Sequence, residues 1–377
     1  MNKSSKILYI FGSGRLERIK SKDIKTYEFF YGYFHLKNQF RVDILEMLEE
    51  KPPTKLTQKI LLFVDKVLRK FTNLPFYFNL IISWTNLKKI WKADTIISTN
   101  DRLALSVLPL VIFVKLFKKT KLNIIVMGLF GKNKKNIVIE LLQNTIINIL
   151  LYFSNKLIFL GNAEYEVANK QFSKFKKKFV FIPFGIDTLF WKSSSTSNFD
   201  HKNYILFLGN DGNRDYDLVY KIASKLKDIN FKFVTKYNFN TLESLHNVDI
   251  VSGDWNANLL SDETIKEYYE NARMTILPLK DSLQPSGQSV TLQSMSMGTP
   301  VAITKTSGFW DYSKFINNEN IFFILDNSLE SWLNFLNSSY YDIDMLKKIS
   351  LNSVSTVSKH FDQNQFNEKL IEIINTD

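Results

Sequence analysis

The chain has 377 residues, 45% of them hydrophobic and 23% charged, a composition that suits a folded protein with room for two domain cores. It has no cysteine, which excludes disulfides, thiolate metal sites and thiol nucleophiles, and its four histidines (His35, His201, His246, His360) are scattered without metal-ligand spacing. Charge is uneven: residues 1–192 carry 33 Lys and Arg against 14 Asp and Glu, an excess of +19, whereas residues 193–377 carry 16 against 23, a balance of −7. Two halves of opposite sign meet different partners, and the basic half suits anionic lipid, nucleic acid or an anionic acceptor.

The chain opens on "KILYIF", which reads as a strand rather than a signal peptide, followed by "GSGR" (Gly12–Arg15). Two helices with Lys-rich polar faces come next, "TQKILLFVDKVLRKF" and "FNLIISWTNLKKIWK". The run "ADTIIST" is a buried strand ending at Asn100–Asp101; a helix, the strand "LNIIVMG", another helix and the strands "NKLIFLG" and "KFVFIPFG" follow. The longest apolar stretches, "LALSVLPLVIFVKLF" and "IVIELLQNTIINILLYF", are interrupted by Lys115, Glu140 and polar residues, so neither reads as a bilayer span.

The Ser/Asn-rich segment 191–203 has no periodicity and reads as a linker. The alternation then restarts: strand "YILFLG", helix "YDLVYKIASKL", strand "FKFVT", helix "SDETIKEYYENA", strand "MTILPL", a loop and helix within "KDSLQPSGQSVTLQSMSMG", then the strands "PVAIT" and "NIFFI" and a mostly helical tail. Apolar strands alternating with amphipathic helices indicate parallel sheets wrapped by helices. The expected architecture is α/β, with two doubly wound domains at 1–190 and 204–360 and a terminal helix at 361–377 that packs back on the first domain. Ligands of such sheets bind beyond the carboxyl ends of strands, so site residues are sought there.

Arg214 follows the strand at 204–208 and could hold phosphate through its planar fork; equally, Asp211 or Asp215 could cap the next helix and leave Arg214 solvated. Lys236 ends the next strand as a point charge for a diphosphate or as an ordinary surface lysine. In "QPSGQSVTLQ", Ser286, Gly287, Gln288 and Ser289 open a helix whose free N–H groups can cradle phosphate. Gln293, four residues after Ser289, lies on that side of the helix and could bond sugar hydroxyls or pair with buried backbone. In the first half, Gly12 and Gly14 permit close approach of a ligand and Arg15 could meet an anion. "GNAEYE" makes Glu164 either an acid/base candidate or an acid of a helix's first turn.

Several segments together resemble the family-4 glycosyltransferases of GT-B fold: "FIPFGIDTLFW", "ILFLGNDGNRDYDL", "IKEYYENARMTILPL" and "SGQSVTLQSMSMGTPVAIT", in family order and spacing. The resemblance is specific in the second half and architectural in the first. It implies two Rossmann-like domains facing across a cleft. It also implies a nucleotide-sugar donor, UDP- or GDP-linked, held by Arg214, Lys236, the 286–289 turn and Gln293, and a glycan or lipid-linked acceptor at Gly12, Gly14 and Arg15. Transfer would retain configuration, with no bound cofactor and no metal. The family's paired acids are altered: Gln293 replaces the second, and Asp281 or Gln284 is the nearest substitute for the first. Asp281, Arg214 and Glu164 are therefore the catalytic candidates. The family's histidine of the N-terminal pocket has no counterpart. The expected setting is cytoplasmic, docked on anionic membrane through the basic first half and its Trp84, Trp91, Phe76 and Phe78. Nucleic acid is not expected as a partner, because no recognition motif accompanies the lysines. An inactive nucleotide-binding subunit of the same fold is the alternative reading.

Overall fold

The structure is a computed structural model that describes residues 5–21, 24–132, 136–193, 199, 201–239, 243–253 and 259–375. The chain divides into two compact units, one of Met1–Lys20, Phe30–Ile182 and Asn367–Asp377, the other of Ser21–Phe29 and Pro183–Phe366.

In the first unit β1 (Lys6–Phe11), α1 (Arg15–Lys20), α2 (Tyr33–Lys37), β2 (Arg41–Glu46), α3 (Leu56–Thr72), α4 (Phe78–Ile81) and α5 (Trp84–Lys92) lead into β3 (Thr95–Ser98). Then come α6 (Asp101–Lys115), β4 (Lys121–Val126), α7 (Ile137–Phe153), β5 (Lys156–Phe159), α8 (Asn162–Gln171) and β6 (Phe179–Phe181). The strands form one sheet in the order β2-β1-β3-β4-β5-β6, with every pair parallel. Helices cover both faces of such a sheet, which is why the inner strands read as unbroken apolar runs. All four residues of β3 and the last five of β4 are buried.

The second unit contains β7 (Tyr204–Leu208), α9 (Tyr216–Lys225), β8 (Asn230–Val234), β9 (Val248–Val251), α10 (Asp262–Asn271) and β10 (Ala272–Leu277). It continues with α11 (Gln288–Ser296), β11 (Val301–Thr304), β12 (Phe322–Ile324), α12 (Leu329–Ser339) and α13 (Ile343–His360). The last helix, α14 (Gln363–Asn375), begins in this unit, and from Asn367 its residues belong to the first. The sheet order is β12-β11-β10-β7-β8-β9, again parallel throughout. The winding reverses at β7, with β8 and β9 on one side and β10, β11 and β12 on the other.

The structure differs from the sequence expectation in several places. The change of unit falls at Ile182/Pro183 rather than at residue 190, and Ser21–Phe29 joins the second unit although it lies early in the chain. The ends of the expected linker are packed: Trp191, Phe199 and Lys202 are each 2% exposed, while residues 194–198 and 200 lie outside the described residues. The single helix expected over 78–92 is two, because Ile82 leaves the helix and Ser83 caps α5 by accepting the Asn86 N–H. Phe76 and Phe78 are core residues at 4% and 9% exposure. Asp65, buried in α3, accepts the N–H groups of Phe78 and Asn79 and so turns that segment inward.

Candidate functional site

The second unit holds a cavity of about 220 Å³ at the carboxyl ends of β7, β8 and β9. Leu208, Gly209, Asn210, Val234 and Gly253 form its floor, Asp262 and Ile265 of α10 one wall, and Ser289, Val290 and Gln293 of α11 another. It therefore lies at the reversal of strand order, where open parallel sheets place their ligands.

Arg214 is 3% exposed and held from two sides. Its Nε donates to the Leu208 carbonyl at 3.2 Å and its Nη1 to Asp211 Oδ2 at 2.7 Å. Gly209 is what admits it: this residue has φ 144°, and a Cβ there would lie 2.4 Å from Arg214 Nε. The loop carrying Arg214 is stitched to the strand before α11. Arg214 bridges Leu279, the Asp215 N–H donates to the Pro278 carbonyl, and Asn213 Nδ2 donates to Ser286 Oγ at 2.7 Å. Asn210 fixes the neighbouring loop by donating to Gly253 O and accepting from Thr235 Oγ1 and the Lys236 N–H.

Gly287, at φ 82°, is the N-cap of α11, and no side chain caps the helix. A chain turning there in the left-handed region favours glycine. Ser289 and Val290, in the helix's first turn, line the cavity, and the N–H groups of a helix's first turn have no partner within the helix. Gln293 is 4% exposed, with both ends of its amide engaged: Nε2 donates to Glu28 Oε1 at 3.0 Å, and Oε1 accepts from the Tyr269 hydroxyl at 3.1 Å.

The structure thus brings Arg214, Ser289 and Gln293 to one cavity; Ser286, bonded to Asn213, and Gly287, the N-cap of α11, do not line it. Gln288 is buried beside them. Lys236 is exposed and does not line the cavity; its backbone N–H donates to Asn210 in the loop network. Asp281 also stands apart: its two carboxylate oxygens accept the N–H and the hydroxyl of Ser307. Glu164 lies in the first unit, 1% exposed, where its oxygens accept the N–H groups of Gly128 and Phe130. Burial, more than its neighbour Asp101, pushes its pKa up to about 8. Gly14 borders a second cavity of about 490 Å³, in the first unit, together with Glu17, Glu46 and Glu49. Gly12 and Arg15 do not line that cavity.

No protein-family model matches the chain, and no curated protein matches it. Solved structures do. The HepE protein of Anabaena, crystallised with UDP and glucose, is similar over 99% of this chain and 100% of its own, with TM-score 0.66 and 13% identity. A glycosyltransferase of Rickettsia africae is similar over the whole of both chains, with TM-score 0.65 and 14% identity. The sucrose-phosphate synthase of Thermosynechococcus elongatus is similar over 98% of each chain, with TM-score 0.66 and 11% identity.

The fold is GT-B. Within this GT-B chain one buried acid was not singled out from the sequence. Glu28 sits in a short 3-10 turn, Glu28–Phe30, ahead of the rest of the second unit by more than 150 residues. Its Oε1 accepts from Trp191 Nε1 at 2.7 Å as well as from Gln293. Neighbouring residues of the same segment complete the wall: Phe29 lines the cavity, and Asp262 accepts the Lys25 N–H and the Thr26 hydroxyl. The only local signal was a lone carboxyl inside the aromatic run "TYEFFYGYF".

Proposed function

We propose that the protein is a glycosyltransferase that moves a sugar from a UDP- or GDP-linked donor to a glycan or lipid-linked acceptor. The observation that carries this reading is the cavity at the reversal of the second sheet, with a buried arginine, an uncapped helix start and a fixed amide on its walls. These groups suit a nucleoside diphosphate: Arg214 and the N–H groups of Ser289 and Val290 for phosphate, Gln293 for ribose hydroxyls. The GT-B fold and its UDP-bound neighbours support the same donor class.

In this reading the residues bind and orient rather than exchange protons with the substrates. Asp281 and Glu164 are both engaged by backbone or hydroxyl donors, so neither is offered as a base. Departure of the diphosphate is stabilised by Arg214 and the α11 dipole, and the donor's own phosphate takes the acceptor proton, which accords with retention and with metal-independent transfer. Release of a nucleoside diphosphate from a nucleotide sugar, abolished by Arg214→Ala, is the test. Nucleotide binding without release across a panel of acceptors would instead favour the inactive-subunit reading.

The acceptor side is proposed to dock on anionic lipid. Exposed apolar residues follow helical spacing on α3 (Leu56, Ile60, Phe63, Phe71) and on its neighbour α7 (Ile137, Leu141, Tyr152). Exposed Lys55, Lys59, Lys66 and Lys70 share α3 or its cap, and Trp84 is 70% exposed on α5. Apolar stripes flanked by lysines match the chemistry of a lipid surface. Among the described residues no helix is long and apolar enough to cross one. Co-sedimentation with phosphatidylglycerol vesicles, but not with phosphatidylcholine vesicles, is expected; equal indifference to both removes this part of the proposal.

A further inference from the structure

Gln293 stands where a charged acid is expected from the resemblance, and the structure supplies a carboxyl from elsewhere in the chain. Glu28 is 4% exposed, and its Oε1 accepts from both Gln293 Nε2 and Trp191 Nε1. An indole nitrogen only donates, so this oxygen is fixed as an acceptor and any proton on the carboxyl resides on Oε2. Among the described residues, Oε2 is buried without a hydrogen-bond partner. The Tyr269 hydroxyl donates to the other end of the Gln293 amide, so the amide's orientation is dictated from both sides.

We propose that Glu28 is a proton-linked positioning residue of the nucleotide cavity: it orients Gln293 toward the ligand, and it takes up a proton from solvent when an anionic ligand binds. This rests on the donor-site reading above. The groups facing Glu28 are Trp191, Asp187, Gln293 and Tyr269; Arg214 lies within electrostatic reach of Tyr269, and Asp262 stands in the cavity wall. Burial is the largest influence on Glu28 and raises its pKa to about 7, with hydrogen bonds from Gln293, Trp191 and its own backbone N–H opposing and the charge of Asp187 adding. A diphosphate in the cavity is a further negative charge and raises it again. The bound state then keeps the proton to higher pH than the free state, so affinity falls as pH rises through and above 7.

The arrangement also accounts for the amide at 293. A second ionised carboxyl there would face Glu28 Oε1 across a 3.0 Å contact with no donor between them. An amide provides that donor.

The probe is UDP-glucose, whose diphosphate does not titrate between pH 6 and pH 8.5. Calorimetry at pH 7 in two buffers of different ionisation enthalpy should reveal net proton uptake on binding by the wild type. Binding should weaken by about tenfold between pH 6 and pH 8.5, the size of one pKa unit of coupling. Glu28→Gln keeps an acceptor for Trp191 and Gln293 but cannot titrate, so it should bind at every pH as the wild type does at pH 6. Glu28→Leu leaves the amide unguided and should bind more weakly at every pH. Wild-type binding with no proton uptake, or a pH profile unchanged in Glu28→Gln, overturns the proposal while leaving the donor site standing. Failure of UDP-glucose and other nucleotide sugars to bind at all overturns both.

Discussion

Gly209→Ala tests the geometry of the site most sharply. The new Cβ would lie 2.4 Å from Arg214 Nε, 2.7 Å from Nη2 and 2.8 Å from Cζ, so the guanidinium must leave its seat. Leaving breaks the 3.2 Å bond to Leu208 O and the 2.7 Å ion pair with Asp211 in a residue only 3% exposed. Charge-assisted hydrogen bonds of this kind contribute about 1.5–3 kcal/mol each. A non-glycine residue forced into φ near 144° adds about 1–3 kcal/mol. The expected loss is therefore about 4 kcal/mol or more, read by urea unfolding. Arg214→Ala removes the clashing group, so the double variant should be less destabilised than the sum of the two single variants by about 2 kcal/mol. A Gly209→Ala protein within about 1 kcal/mol of wild type, or costs that simply add, would refute the packing of Arg214 beneath Gly209.

Other outcomes follow from the buried acids. Glu164 keeps its proton up to about pH 8 when folded and only to about 4.5, the ordinary value for a glutamate, when unfolded, so its contribution is full below 4.5 and is lost as pH rises toward 8. The difference corresponds to on the order of 4 kcal/mol, and Glu164→Gln should flatten the fall in thermal midpoint between pH 5 and pH 8. Glu164→Ala orphans the N–H groups of Gly128 and Phe130 and should destabilise by about 2–4 kcal/mol in chemical unfolding. Gln293→Glu places a second carboxyl against Glu28; thermal unfolding should reveal a loss larger at pH 8 than at pH 5, and an equal loss at both would contradict the contact. Phe63→Asp together with Leu141→Asp should abolish vesicle binding without lowering the thermal midpoint, since both side chains are more than 60% exposed.

What the sequence revealed follows from which signals are local. Strands buried on both faces, such as "TIIS" and "ARMTIL", announce themselves as apolar runs. The sheet-edge strands β2 (RVDILE) and β9 (VDIV) were not read, because half or more of each is open to solvent or partly so and their acids break the pattern. Ser289 and Gln293 were legible as the first turns of a helix after a glycine, with stop signals at Gly298 and Pro300. Arg214 was legible by position, but its seat under Gly209 was not, since that depends on how the single loop between β7 and α9 folds back on the end of its own strand. Glu28 was beyond reach: its meaning comes from Trp191 and Gln293, 163 and 265 residues away in sequence. Phe76 and Phe78 misled for the converse reason, because an aromatic among lysines looks the same whether it faces solvent or, pinned by Asp65, the core.

The proposed function requires the cavity of the second unit to be a nucleotide-sugar site. Titration of the purified protein with UDP-glucose and with GDP-mannose, followed by calorimetry, measures this directly. One of the two should bind with a single site per chain, and Arg214→Ala should weaken that binding by about tenfold or more, as expected for losing a charge-assisted phosphate contact. Absence of binding by both, or binding that Arg214→Ala leaves unchanged, would contradict it.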